Sequence, residues 1–242
     1  MGFGTELVPD PPMLPATTPT MPLLSHSRQP DTALDWFGSH AGQELLAVEG
    51  RAMARVLAIG PALPWAWLGV AAGAAPAVSD RRGLLLRREG GGFTGAVRCA
   101  LPLPIASESL GALLLQHLLD DGVAADALLG ECERVLAPGG TLWLATLNPW
   151  SPYRARWLGT GLRAHNPGHW QAGLRRAGFA LDSVSLQWLG PRWHPAQGEA
   201  GIGAADRLRA GIALTVSKRV HAPIPPRPLR NLRWQAGRMS RS

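Results

Sequence analysis

The sequence predicts an α/β protein built on a parallel sheet, and three observations lead there. The runs Leu110–Leu115 and Thr141–Leu147 are short, continuous and apolar, as strands buried on both faces are. Between them lies a helical stretch that closes on Arg134-Val135-Leu136-Ala137-Pro138-Gly139-Gly140, where proline cannot continue a helix and the glycines free the backbone to turn. Strand, helix and strand in that order make a βαβ unit. The third observation is size: 242 residues at 46% hydrophobic suffice for one substantial core.

Taken in order, residues 1–30 hold Pro9, Pro11, Pro12, Pro15, Pro19, Pro22 and Pro30 among Thr and Ser, and are expected to be disordered. Met13 and Met21 offer later starts for the same chain. The folded domain is expected over 31–220. Trp36, Phe37, Leu45, Leu46 and Val48, set among Gln43, Glu44 and Glu49, indicate one or two amphipathic helices up to Met53. Arg55–Gly60 reads as the first strand and turn, and Pro61–Ala77 as the first crossover helix. Gly83–Leu86 is the second strand, and Phe93–Cys99 a short third one after Gly90-Gly91-Gly92. The βαβ unit supplies strands four and five. Pro167 opens a helix through Arg176, which Ala177-Gly178 ends; Phe179-Ala180-Leu181 starts a strand containing Val184 and Leu186, and Ala210–Val216 is the last. The tail 221–242, with Pro223, Pro225, Pro226 and Pro228 among arginines and no acid, is expected to be mobile.

Composition narrows the function. The formal charge of +7 and pI near 11 come almost wholly from arginine, with Lys218 the single lysine. In a chain so rich in Ala, Gly, Leu and Pro this bias follows from codon supply in a GC-rich genome, so nucleic acid is not the expected partner. Cys99 and Cys132 lack any CxxC or Cys/His spacing, and no metal site is expected. There is no apolar run of bilayer-spanning length and no signal peptide pattern, so the expectation is a soluble, cytoplasmic protein without membrane partners.

One stretch is specific enough to suggest a family. The segment LPLPIASESL, followed by LLLQHLLDD and then by ECERVLAPGGTLWL, resembles the second half of the class I S-adenosylmethionine-dependent methyltransferases, in particular the type 11 group. The resemblance implies a doubly wound, mostly parallel seven-stranded sheet of the Rossmann-like type that ends on an antiparallel strand. It also implies S-adenosylmethionine as cofactor and methyl transfer to an acceptor that the sequence does not name. The alternative is a catalytically silent methyltransferase-like scaffold that binds a protein partner or a metabolite.

The family's pocket has three recognisable parts, and this chain departs at each. The acid-x-Gly-x-Gly-x-Gly loop after strand one would be Ala58-Ile59-Gly60-Pro61-Ala62-Leu63-Pro64, in which Gly60 alone survives. The acid at the end of strand two, which accepts bonds from the ribose hydroxyls, would be Glu89, with Asp80 as the other choice. The segment preceding Leu-Pro holds no acid, which leaves Ala100 and Leu101 at the adenine position, and Gly111 stands where aspartate is frequent at the start of strand four. Better matched are Gln116, His117, Asp120 and Asp121 after strand four, where α/β proteins bind ligands. His117 is the candidate base or pocket wall. Asn148 and Trp150 of the NPWS segment after strand five either line an acceptor pocket or form its turn. Trp150, Trp157 and Trp193 near Arg154, Arg156, Arg163 and Arg192 would suit a flat or anionic acceptor.

Overall fold

The computed structural model describes residues 33–76, 82–122, 125–192, 200–201 and 204–219, together with Met1. The expected disordered segment 1–30, the tail 221–242, Asp80 and Trp193 lie outside these residues.

The sheet is built from β1 (Trp65–Gly69), β2 (Gly83–Glu89), β3 (Gly92–Gly95), β4 (Leu110–Gln116), β5 (Leu136–Leu147), β6 (Ser185–Leu189), β7 (Ala200–Gly201) and β8 (Gly211–Ser217). Their spatial order is β3-β2-β1-β4-β5-β8-β6-β7. Strands β2, β1, β4 and β5 run parallel; β3 pairs antiparallel with β2, and β8, β6 and β7 add an antiparallel half. Among the described residues the sheet therefore has eight strands, one of them two residues long, and is parallel only at its centre. The expected mostly parallel sheet is corrected by the four-residue β3, which turns back on β2 through Gly90 and Gly91, both at positive φ, rather than crossing over.

Three helices cover the two faces. On one lies α1 (His40–Ile59); on the other lie α2 (Ala125–Val135) and α3 (Pro167–Arg176). The strands alternate to serve both. Trp65 and Trp67 of β1, Ala112 and Leu114 of β4 and Trp143 of β5 pack with Ala52, Met53 and Leu57 of α1. Ala66, Leu68, Leu113, Leu115, Leu142 and Leu144 point the other way, into a core with Leu128, Leu129 and Cys132 of α2 and Trp170 and Leu174 of α3. A fully buried leucine is worth roughly 1.5–3 kcal/mol, and β4 is buried along its whole length.

Two expected elements are overturned. Arg55–Gly60 is not a strand but the last turns and cap of α1, and Pro61–Ala77 is not a crossover helix, because it contains β1. The buried positions Leu45, Leu46, Glu49, Ala52, Met53 and Leu57 recur at helical spacing over twenty residues, which outweighs the short apolar run at Val56-Leu57. Of the β1–β2 connection, residues 70–76 carry no helix. Phe179-Ala180-Leu181 likewise does not begin a strand, since Leu181–Ser183 forms a 3-10 turn that delays β6 to Ser185. The helix Pro167–Arg176 stands as read, capped by Asn166, whose side chain accepts from the His169 amide, and left through Gly178 at φ 102°.

Gly111 has a packing reason. Its amide donates to the Pro64 carbonyl at 2.8 Å, and a Cβ there would lie 2.8 Å from the Leu63 Cβ. The single lysine is also structural: Lys218 Nζ meets Glu133 at 3.1 Å and Glu108 at 3.3 Å.

Candidate functional site

Strands β1 and β4 end in register at Gly69 and Gln116, level with Arg87 of β2, which defines the carboxyl edge of the parallel half. Beyond Gln116 the chain turns at His117, a non-glycine residue at φ 57°, an uncommon conformation for which the surrounding contacts must compensate. Those contacts are specific. His117 Nδ1 lies 2.6 Å from Asp120 Oδ2, and its Nε2 lies 2.8 Å from Glu49 Oε1 of α1. The other Glu49 oxygen accepts from the Gln116 amide at 2.8 Å, and the Gln116 oxygen accepts from Trp67 Nε1 at 3.2 Å. Asp120 also accepts from the Leu147 amide at 3.1 Å, which fastens the turn to the end of β5. Phe37 stacks on the imidazole, with ring centres 4.2 Å apart.

Glu49, Gln116, His117 and Asp120 are all fully buried. Burial alone would keep the imidazole neutral, but the two carboxylates outweigh it and push His117 up to about 9. Burial raises Asp120 to about 6, against the opposing pull of His117. At neutral pH the ring is therefore an imidazolium whose two N–H groups both face carboxylates, and it has no lone pair with which to act as a base.

The E-x-x-R pair of α2 also has a definite task. Glu131 accepts from the Leu103 amide at 2.6 Å, while Arg134 donates to the Leu103 and Ile105 carbonyls at 3.2 and 2.9 Å and to Glu131 itself at 2.6 Å. This clamp holds the LPLPIA segment, which includes the cis Leu101–Pro102 bond, against the helix. The Arg134 guanidinium, followed by the Leu103 amide, keeps the Glu131 carboxyl below its ordinary value despite burial.

The residues expected to bind cofactor thus fall in three places. Gln116 and His117 join the buried cluster. Glu89 and Ala100 flank a hollow of about 230 Å³ at the β2–β3 hairpin, whereas Leu101 packs against the main core. Gly60 caps α1 before β1 begins and does not belong to a loop at the carboxyl edge. The loop that does follow β1 is Gly69-Val70-Ala71-Ala72-Gly73, and the Trp67 indole covers both of its glycines. A Cβ on Gly73 would lie 2.9 Å from Trp67 Cζ2 and 3.0 Å from Gln116 Oε1, and one on Gly69 would overlap the same ring. Arg87 lies over the outer side of that indole, 5.6 Å from its centre, and Arg88 reaches Asp121 at 3.4 Å. A methionine-bearing cofactor needs the open glycine face and free polar groups at the end of β4. As packed, Trp67 occupies the first, and Gln116 and His117 are engaged with Glu49, so the arrangement does not fit S-adenosylmethionine.

After β5, Asn148 is committed to the turn: its amide donates to the Arg207 and Arg209 carbonyls at 2.7 and 2.6 Å, and its oxygen accepts from the Trp150 amide at 3.0 Å. Trp150 remains 53% exposed, with its ring centre 5.9 Å from that of Trp188. Among the described residues no cluster of metal-ligating side chains occurs, and no helix is long and apolar enough to cross a membrane. Sequence reasoning missed Glu49 and Trp67. The signal for Glu49 was an acid inside the buried stripe of α1; for Trp67 there was none without the correct placement of β1.

No family model matches the chain, and no curated protein matches it. Solved structures do. A SAM-dependent methyltransferase from Thermotoga maritima, described as a possible histamine N-methyltransferase, is 18% identical, with a TM-score of 0.50 over 76% of this chain and 93% of its own. A SAM-dependent methyltransferase from Archaeoglobus fulgidus is 11% identical, with a TM-score of 0.48 over 76% and 97%. A further match is to the complex between the Haloferax volcanii Trm112 methyltransferase activator and a methyltransferase, at 15% identity and a TM-score of 0.47 over 79% and 99%. At such identities the likeness to the Thermotoga structure concerns the fold, which is that of the class I SAM-dependent methyltransferases.

Proposed function

We propose, from the class I methyltransferase fold that this chain carries, that the protein is an S-adenosylmethionine-dependent methyltransferase for an acceptor still to be identified. What supports this reading is the fold shared with the Thermotoga maritima methyltransferase, together with the ionic groups of Glu49, His117 and Asp120 buried at the carboxyl edge, a cluster that must open before a cofactor can enter. Burying two carboxylates and an imidazolium costs more than filling the same space with apolar side chains, so an inert core gains nothing from them at the place where α/β sheets bind ligands. In this reading the Trp67 indole leaves Gly69 and Gly73 and Gln116 and His117 release Glu49 to admit the cofactor, while Glu89, Ala100 and Leu101 lie apart from that glycine face. His117 positions the turn after β4 and is not the proton acceptor. Asn148 sets the turn that presents Trp150, the exposed aromatic offered to the acceptor.

A second reading, the catalytically silent scaffold, is favoured by one observation: Trp67 closes the glycine face, and its N–H is satisfied by Gln116 in the closed arrangement. Calorimetric titration with S-adenosylmethionine and with its demethylated product separates the two. Heat at micromolar ligand supports the methyltransferase. No heat and no thermal stabilisation at millimolar ligand overturns it and leaves the scaffold.

A further inference from the structure

Where α2 and α3 diverge, on the opposite face of the sheet from α1, they leave a cavity of about 470 Å³, a size that suits a small metabolite. Its charged and aromatic wall comprises Arg163, His165, His169, Trp170, Arg176 and Asp126.

Three features of this wall point to an anion. Arg163 is directed to it by the fold: its amide donates to the Asp120 carbonyl at 2.6 Å, and its side chain lies so close to Gly122 that a Cβ there would come within 3.1 Å of Arg163 Cδ. No acidic side chain pairs with Arg163 among the described residues, since Asp126, the one acid of the wall, is engaged by Arg176 at 2.8 Å. Trp170, only 2% exposed, forms the inner wall of the cavity. Finally, His165 and His169 stack at 4.1 Å with planes 16° apart, and both stand edge-on to Trp170. Burial first, then the neighbouring His169 and Arg163, hold His165 below its ordinary value.

We infer that this cavity is a binding site for a small planar organic anion, a phosphate ester or a carboxylate, whose charged end meets Arg163 and whose flat body lies against the His165–His169 stack. The site adjoins the turn that carries Asp120, through the Arg163 amide, and does not depend on methyl transfer.

The test uses the full chain, with phenyl phosphate, benzoate and inorganic phosphate as probes, followed by the indole N–H signal of Trp170 and the ring carbon signals of His165 and His169. Phenyl phosphate or benzoate should shift all three residues together, and the tighter of the two identifies the anionic group. Inorganic phosphate, lacking the flat body, should bind more weakly. Arg163→Ala should weaken binding about tenfold, as loss of a charge-assisted bond does, and Arg163→Lys should recover part of it. Arg98→Ala, at an exposed surface arginine, should change nothing, which separates the site from general attraction to a basic surface. If the probes bind the Arg163→Ala and Arg98→Ala proteins equally well, or leave the Trp170 and His165 signals unmoved, the inference is overturned.

Discussion

The imidazole of His117 and the carboxylate of Glu49 meet at 2.8 Å, neither exposed to solvent, although 68 positions separate them in the chain. The contact ties the middle of α1 to the end of β4. It should therefore report on the whole carboxyl edge through its response to pH.

The folded protein holds the His117 proton up to about 9, whereas a free histidine releases it near 6.5. Between those values the unfolded chain has already lost a proton that the folded chain keeps. Stability from this site is thus complete below pH 6.5 and is lost as pH rises towards 9, by up to ~3 kcal/mol. Urea unfolding across pH 6 to 9.5 should show this decline, and His117→Gln should flatten it. A wild-type curve without slope would contradict the charged assignment.

Glu49→Ala removes the acceptor for both Gln116 and His117 while the imidazolium remains buried. Breaking one side of a buried ionic group typically costs about 3–5 kcal/mol, so the variant should melt far below the wild type. Glu49→Gln keeps the shape and should fall between them.

Trp67 and Gly69 make a testable pair. Gly69→Ala places a methyl group in the Trp67 ring and should destabilise by about 2 kcal/mol or more, as overpacking does. In a Trp67→Ala background the same substitution should cost much less, and a double-mutant cycle by thermal unfolding measures the difference. Trp67→Ala should also raise affinity for S-adenosylmethionine if the methyltransferase reading holds.

Arg134→Ala dismantles the clamp on the LPLPIA segment, losing bonds to Glu131, Leu103, Ile105 and Ser107 at once. Hydrogen exchange should quicken at the Leu103 amide, and stability should fall by about 2 kcal/mol, since charge-assisted bonds are worth roughly 1.5–3 kcal/mol each and part of the loss is repaired by water.

The β4–α2–β5 unit was legible because Leu110–Leu115 and Thr141–Leu147 are long enough to bury both faces and Pro138-Gly139-Gly140 rules out a continuing helix, although the helix already ends at Val135 and these three residues lie in the irregular start of β5. Strand β1 was not. Its Trp-Ala-Trp-Leu reads equally as helix or strand, and the apolar end of α1 offered a competing strand that starts ten residues earlier. That single displacement moved the glycine loop from Gly69–Gly73 to Gly60 and hid Trp67. Gln116 and His117 could be picked out from their place after a confident strand, but their partner Glu49 could not, because only the folded sheet brings α1 to them. Asn148 was left open between turn and pocket wall, and its three hydrogen bonds make it the turn.

Among the described residues the outermost strands of the sheet, β3 and β7, are four and two residues long. A neighbouring molecule that tried to extend the ladder would find few backbone groups in a row to pair with, and glycines at both ends of β3 to weaken the match. At high concentration the chain should therefore resist growth into cross-β fibrils, even with so many leucines in its central strands.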